Sequence, residues 1–118
     1  MRGDFKTGVV VLAAGFSERM GHPKPLARLG SRTLLQHILT HPFLSRADVK
    51  PVIVLGHRHE EIRQQIRMAF PYVINTEYEQ GRTTSVQAGL RALAEEVDGV
   101  LIWPVDCPVI PSSVLDKL

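Results

Sequence analysis

The sequence predicts an α/β fold: a mostly parallel, Rossmann-like sheet with helices on both faces. Three observations carry this expectation. Near-continuous apolar runs at 9–13, 49–56 and 99–106 read as strands buried on two sides. The segments between them place apolar residues at helical spacing. Polar, glycine-rich or acidic stretches follow the strands, the end at which open parallel sheets bind ligands. With 118 residues and 44% hydrophobic content, the chain reads as one domain, 1–118, able to bury about two thirds of its unfolded surface.

The elements follow in order. Val9 to Ala13 is the first strand. After a proline-rich loop, "SRTLLQHILTH" sets Leu34, Leu35, Ile38 and Leu39 on one helical stripe, stopped by Pro42. "VKPVIVLG" (49–56) is a second apolar strand. A helix from about His59 to Phe70 carries Ile62, Ile66, Ala69 and Phe70 at i, i+4, i+7 and i+8. A short strand spans Tyr72 to Asn75, and a later helix carries Val86, Leu90, Leu93, Ala94 and Val97 on one face. "GVLIWPVD" is the fourth strand, read as buried on both faces because Val100 to Trp103 lack polar alternation, with Trp103 in the core. No linker, repeat or low-complexity segment interrupts the series.

Composition narrows the function classes. The formal charge is +2, and the most charged stretch, "RHEEIRQQIR" (58–67), mixes signs, so no nucleic-acid surface is expected. Cys107 is the single cysteine, which excludes an internal disulfide; beside Asp106 it reads as an inert thiol. "MRGDFKTG" has no apolar signal core, and no apolar run reaches the roughly 18 residues of a membrane helix, so a soluble, cytoplasmic protein without membrane partners is expected. His57 and His59 flank Arg58 without a third ligand, which favours a solvated turn over a metal site.

The loop after the first strand holds the densest chemistry. Gly15 and Gly21 let backbone N–H groups approach an anion, and Arg19 and Lys24 add positive charge. Pro23 and Pro25 bias His22 and Lys24 away from the α region. A Walker A loop places four residues between its glycines and the lysine directly after the second; here five intervene and the lysine comes three later. The G-x-G-x-x-G dinucleotide pattern fails too, and its acid near the end of the second strand is replaced by Gly56-His57-Arg58. A phosphate cradle of a third type remains, beside the plainer reading of a surface loop that happens to hold Arg and Lys.

Leu12 to Lys24, "LAAGFSERMGHPK", resembles the pattern L-A-A-G-x-S-x-R-M-G-x-x-K of nucleotidyltransferases with a glycosyltransferase-A-like fold, in particular the molybdenum-cofactor cytidylyltransferase-like group. The resemblance implies that Leu12, Ala13, Ala14 and Gly15 line the base and ribose, with Ser17 and Gly21 in the same nucleotide-binding loop. It implies that Arg19 and Lys24 clamp the triphosphate as catalytic groups. "GRTTSVQAGL" (81–90) is similar to the family's base-recognition segment, which carries over to Gly81, Ser85 and Asn75. The residues themselves also allow a capping box with Thr84 as N-cap and Gln87 three positions on. Asp106, between Pro104 and Pro108, corresponds to the acid that binds Mg²⁺ in the family; the competing reading is a turn-capping Asp.

The implied reaction transfers a nucleoside monophosphate from a nucleoside triphosphate to a phosphate-bearing acceptor such as molybdopterin and releases pyrophosphate. Guanylyl-transferring relatives usually show L-A-G-G where this chain has Leu12-Ala13-Ala14-Gly15, which favours CTP over GTP, with ATP open. Family members run well past residue 118, into further strands and a second metal-binding acid. The chain is therefore expected to end after the fourth strand, expose that strand's outer edge and self-associate through it. Two alternatives stand beside this reading: a catalytically incomplete nucleotide-binding or regulatory module, and an NAD(P)-dependent oxidoreductase sharing the fold.

Overall fold

The computed structural model describes residues 5–14, 24–66 and 70–105, with Lys24 described by its backbone. Strand β1, Thr7–Ala13, is buried from Gly8 onward. A 3₁₀ turn at Lys24–Leu26 leads into a small hairpin, β2 (Arg28–Leu29) and β3 (Arg32–Thr33), turned by Gly30 at φ 72°. Helix α1, Leu34–Leu39, is followed by β4, Val49–Leu55, and then α2, His59–Gln64. Strand β5 is Tyr72–Ile74, α3 is Arg82–Leu93, and β6 is Gly99–Pro104.

The four long-range strands form one parallel sheet in the order β5-β4-β1-β6. β1 lies at its centre and is paired along its length, Val10 opposite Val52 on one side and Ile102 on the other. Alternation along β1 sends side chains to two cores. Val9, Val11 and Ala13 join Leu35, Ile38, Phe43, Ile53, Leu55, Ile62 and Trp103 on the α1 and α2 face. Val10, Leu12 and Ala14 join Val52, Val54 and Leu93 under α3. The expected doubly covered α/β sheet is therefore the observed one.

Helix α1 has a capping box that the stripe of leucines does not reveal. Thr33 Oγ1 accepts from the Gln36 N–H at 3.1 Å, and the Thr33 N–H donates to Gln36 Oε1 at 2.9 Å. The sequence signal, T-x-x-Q before an apolar run, was available.

Four expectations are corrected. α2 ends at Gln64 and not near Phe70; Ile66 donates to the Arg63 carbonyl, a tightened last turn, and Phe70 precedes Pro71, which disfavours α conformation. Ile66 and Phe70 still pack on the core, while 67–69 lie outside the described residues. α3 starts at Arg82 with Gly81 as N-cap, so Thr84 sits inside the first turn and is no cap. Its buried stripe is Ser85, Gly89 and Leu93; of the expected face, Leu93, Val86 and Val97 pack on the core, whereas Leu90 is 38% exposed and Ala94 is exposed. The cause is Gly89: lacking a Cβ, it lets the helix backbone settle against Val10, which rotates Leu90 outward. In β6, Val100 is 38% exposed, as a strand paired on one side by β1 allows. Among the described residues no strand covers the other edge of β6.

Candidate nucleotide site

The carboxyl ends of β1, β4, β5 and β6 converge on one rim. β1 is held there from both sides: the Ala14 carbonyl accepts from the His57 N–H at 3.3 Å, and the Leu12 carbonyl accepts from the Val105 N–H at 3.2 Å. The β4 end approaches β1 so closely that a Cβ on Gly56 would lie 2.9 Å from Ala14 Cβ and 2.8 Å from Tyr78 Cβ.

Leu12, Ala13 and Ala14 are buried in the two cores. Their side chains pack into those cores. Gly15, Ser17, Arg19 and Gly21 lie outside the described residues, as does Asp106, the residue after Val105. Lys24 opens the 3₁₀ turn that feeds the hairpin, with its side chain outside the description.

The β5 end is described in full. Asn75 is 5% exposed, and its backbone N–H donates to the Leu55 carbonyl at 2.7 Å. Its Oδ1 accepts from the Glu77 N–H at 2.9 Å, while Nδ2 donates to Thr84 Oγ1 at 2.8 Å and Ser85 Oγ at 2.9 Å. Thr84 Oγ1 lies 2.8 Å from the Gly81 carbonyl and 3.0 Å from that of Glu77. These bonds close the 77–85 loop onto the first turn of α3. Gly81, at φ 114°, is exposed at the helix entrance; this is a conformation glycine tolerates and Cβ-bearing residues rarely adopt. Of the nominated base-recognition residues, Asn75 and Ser85 touch directly and Gly81 belongs to the same loop. Sequence reading allowed Thr84 a capping role and missed its place in this network, together with that of Glu77.

The histidines occupy the β4–α2 turn. The His57 ring lies 5.7 Å from that of Tyr78, and His59 Nδ1 is 3.2 Å from the Gly56 carbonyl. Among the described residues, no three His, Cys, Asp or Glu side chains group as a metal site. No helix of the described residues is long and apolar enough to cross a membrane. A cleft of about 430 Å³ between α1 and the end of α2 is lined by residues including Arg32, Gln36 and Gln65, and by none of the nominated ones.

A central parallel strand clamped at its carboxyl end, beside a glycine-entered helix closed by buried amide and hydroxyl groups, defines the class: a parallel α/β domain with helices on both faces of its sheet. Residues 9–118 match the MobA-like NTP transferase domain, and the chain belongs to that family. A curated relative, the bifunctional IPC transferase and DIPP synthase of Rubrobacter xylanophilus, is 39% identical over 107 residues, covering 86% of this chain and 24% of its own length. The crystal structure of Rv0371c from Mycobacterium tuberculosis H37Rv superposes with a TM-score of 0.82 at 24% identity, covering 96% of this chain and 58% of that one. A manganese complex of the same protein has a TM-score of 0.73 at 20% identity, with 95% and 56% covered. A 4-diphosphocytidyl-2C-methyl-D-erythritol synthase matches with a TM-score of 0.67 at 23% identity, covering 96% and 52%. The chain thus spans about a quarter of that curated relative and somewhat over half of these solved chains.

Proposed function

We propose that this chain binds a nucleoside triphosphate, CTP in preference to GTP or ATP, and takes part in transferring its nucleoside monophosphate to a phosphate-bearing acceptor such as molybdopterin. The observation that carries the proposal is the rim itself. In a chain of the NTP transferase family, the end of β1 that delivers the Arg19 and Lys24 loop faces the same side as the Asn75–Ser85 bracket.

In this reading the base lies against the 77–85 loop and the first turn of α3, and the phosphates lie along 15–24. An oxygen of the acceptor phosphate attacks the α-phosphorus in line, the bond to the bridging oxygen breaks, and pyrophosphate leaves with that oxygen. Arg19 and Lys24 hold the charge on the triphosphate, and loop N–H groups orient it; positioning and electrostatics supply the rate enhancement. Asp106 is the residue proposed to hold Mg²⁺, an ion whose charge offsets that of the phosphates. The manganese-bound relative supports a divalent cation in this family of folds. Gly15, Ser17 and Gly21 complete the proposed loop. The choice of CTP rests on the Leu12-Ala13-Ala14-Gly15 run.

The test is pyrophosphate release from CTP and Mg²⁺ with a panel of phosphate-bearing acceptors, molybdopterin included. Release that requires both nucleotide and acceptor supports transfer. Tight CTP binding with no release for any acceptor leaves a nucleotide-binding module in its place.

A further inference from the structure

The Asn75 amide has an orientation that the surrounding donors dictate. A backbone N–H can only donate, so the Glu77 N–H, 2.9 Å from Asn75, fixes Oδ1 on that side and turns the NH₂ toward the two hydroxyls. Both hydroxyls must then accept. Thr84 Oγ1 accepts from Nδ2 and sends its own proton to a carbonyl, that of Gly81 or Glu77. Ser85 Oγ also accepts from Nδ2, but its proton has no acceptor among the described residues, although the side chain is only 5% exposed. A buried hydroxyl that has received a bond and has a donor unspent is out of balance, and a ligand acceptor would restore it.

We propose that Asn75 is a positioning residue that sets the polarity of Ser85, making that hydroxyl a donor toward the nucleobase. The inference rests on the nucleotide reading of this site and deepens it. The pocket would then recognise a base by a projecting ring carbonyl oxygen, which cytosine, uracil and guanine carry. Adenine has none; its acceptors are nitrogens recessed within the ring. Asn75 itself, with both Nδ2 protons engaged and Oδ1 bonded to the Glu77 N–H, makes no donor contact with the ligand.

The test compares CTP and ATP dissociation constants, measured by calorimetry at neutral pH with Mg²⁺, in the wild type, Asn75→Asp and Ser85→Ala. A carboxylate at 75 still accepts from the Glu77 N–H but now draws both hydroxyl protons inward, reversing Ser85. Asn75→Asp should therefore weaken CTP about tenfold and leave ATP within about twofold, and Ser85→Ala should do the same. Should Asn75→Asp fail to fold, Asn75→Ala removes the imposed polarity without reversing it, and its CTP-to-ATP ratio should fall toward that of Ser85→Ala. An unchanged CTP-to-ATP ratio in the Asn75 variants, or an equal loss for both nucleotides, overturns the polarity proposal and leaves the nucleotide reading intact; equal wild-type binding of CTP and ATP overturns the polarity proposal together with the preference for CTP over ATP. A wild type that binds neither nucleotide overturns that reading, and this proposal with it.

Discussion

Gly89 of α3 faces Val10 of the central strand so closely that a Cβ on the glycine would lie 2.4 Å from Val10 Cγ1 and 2.9 Å from Cγ2. Val10 is fully buried and β-branched, so its methyls cannot swing away. This contact sets the depth and rotation of the helix whose first turn carries Thr84 and Ser85.

Gly89→Ala should therefore destabilise the fold by about 1–3 kcal/mol, the usual range for overpacking, despite alanine's better helix propensity. Thermal unfolding checks this. A stabilised variant would show that α3 can lift off β1 freely.

The same contact shows what the sequence could and could not convey. Strand identities were legible because β1 and β4 are buried on both faces and so lack polar alternation. The buried face of α3 was not, because hydrophobic periodicity weights Leu90 and gives glycine no weight, yet Gly89 is the residue the packing selects. Thr84 failed for a related reason: T-x-x-Q is a capping signal, and it is realised at Thr33 and Gln36, while at Thr84 the hydroxyl is drawn to Asn75, Gly81 and Glu77. Which of two equal local signals prevails depends on contacts between residues distant in sequence. In the candidate site, proximity of Asn75 to Ser85 was implied by the family resemblance, whereas the direction of their hydrogen bond required coordinates.

Thr33→Ala removes one side of the α1 capping box while Gln36 keeps its own bond to the backbone. A loss of about 1 kcal/mol is expected by chemical denaturation, with the slope against denaturant unchanged. No measurable loss would mean that the tertiary packing of Leu35 and Ile38 alone holds the helix.

Arg46 forms a two-point pair with Asp48, Nε to Oδ1 at 3.1 Å and Nη2 to Oδ2 at 3.0 Å, just before β4. The hydrogen bonds from Arg46 hold the Asp48 carboxyl below the usual carboxylate range. A carboxyl lowered on folding contributes stability above its unfolded value, and that contribution is lost as pH falls through the folded value. The difference in melting temperature between wild type and Asp48→Asn should thus be present near neutral pH and shrink below about pH 4. A difference that stays constant down to strong acid would show that the pair has no role in acid stability.

Lys24→Ala should weaken CTP far more than cytidine, because the proposed contact is to phosphate alone. The expected loss is about 1.5–3 kcal/mol, the range for a hydrogen bond to a charged group. Equal losses for CTP and cytidine would remove Lys24 from the phosphate clamp.

The most direct measurement of the central claim is a thermal-shift panel of CTP, GTP, ATP, UTP, NADH and NADPH, each with and without Mg²⁺. At about 100 times its dissociation constant a ligand stabilises the folded state by roughly 2.7 kcal/mol, a readily visible rise in melting temperature. The account predicts the largest rise with CTP and Mg²⁺ and none with the nicotinamide dinucleotides. A rise with NADH or NADPH, and none with any nucleoside triphosphate, would contradict it.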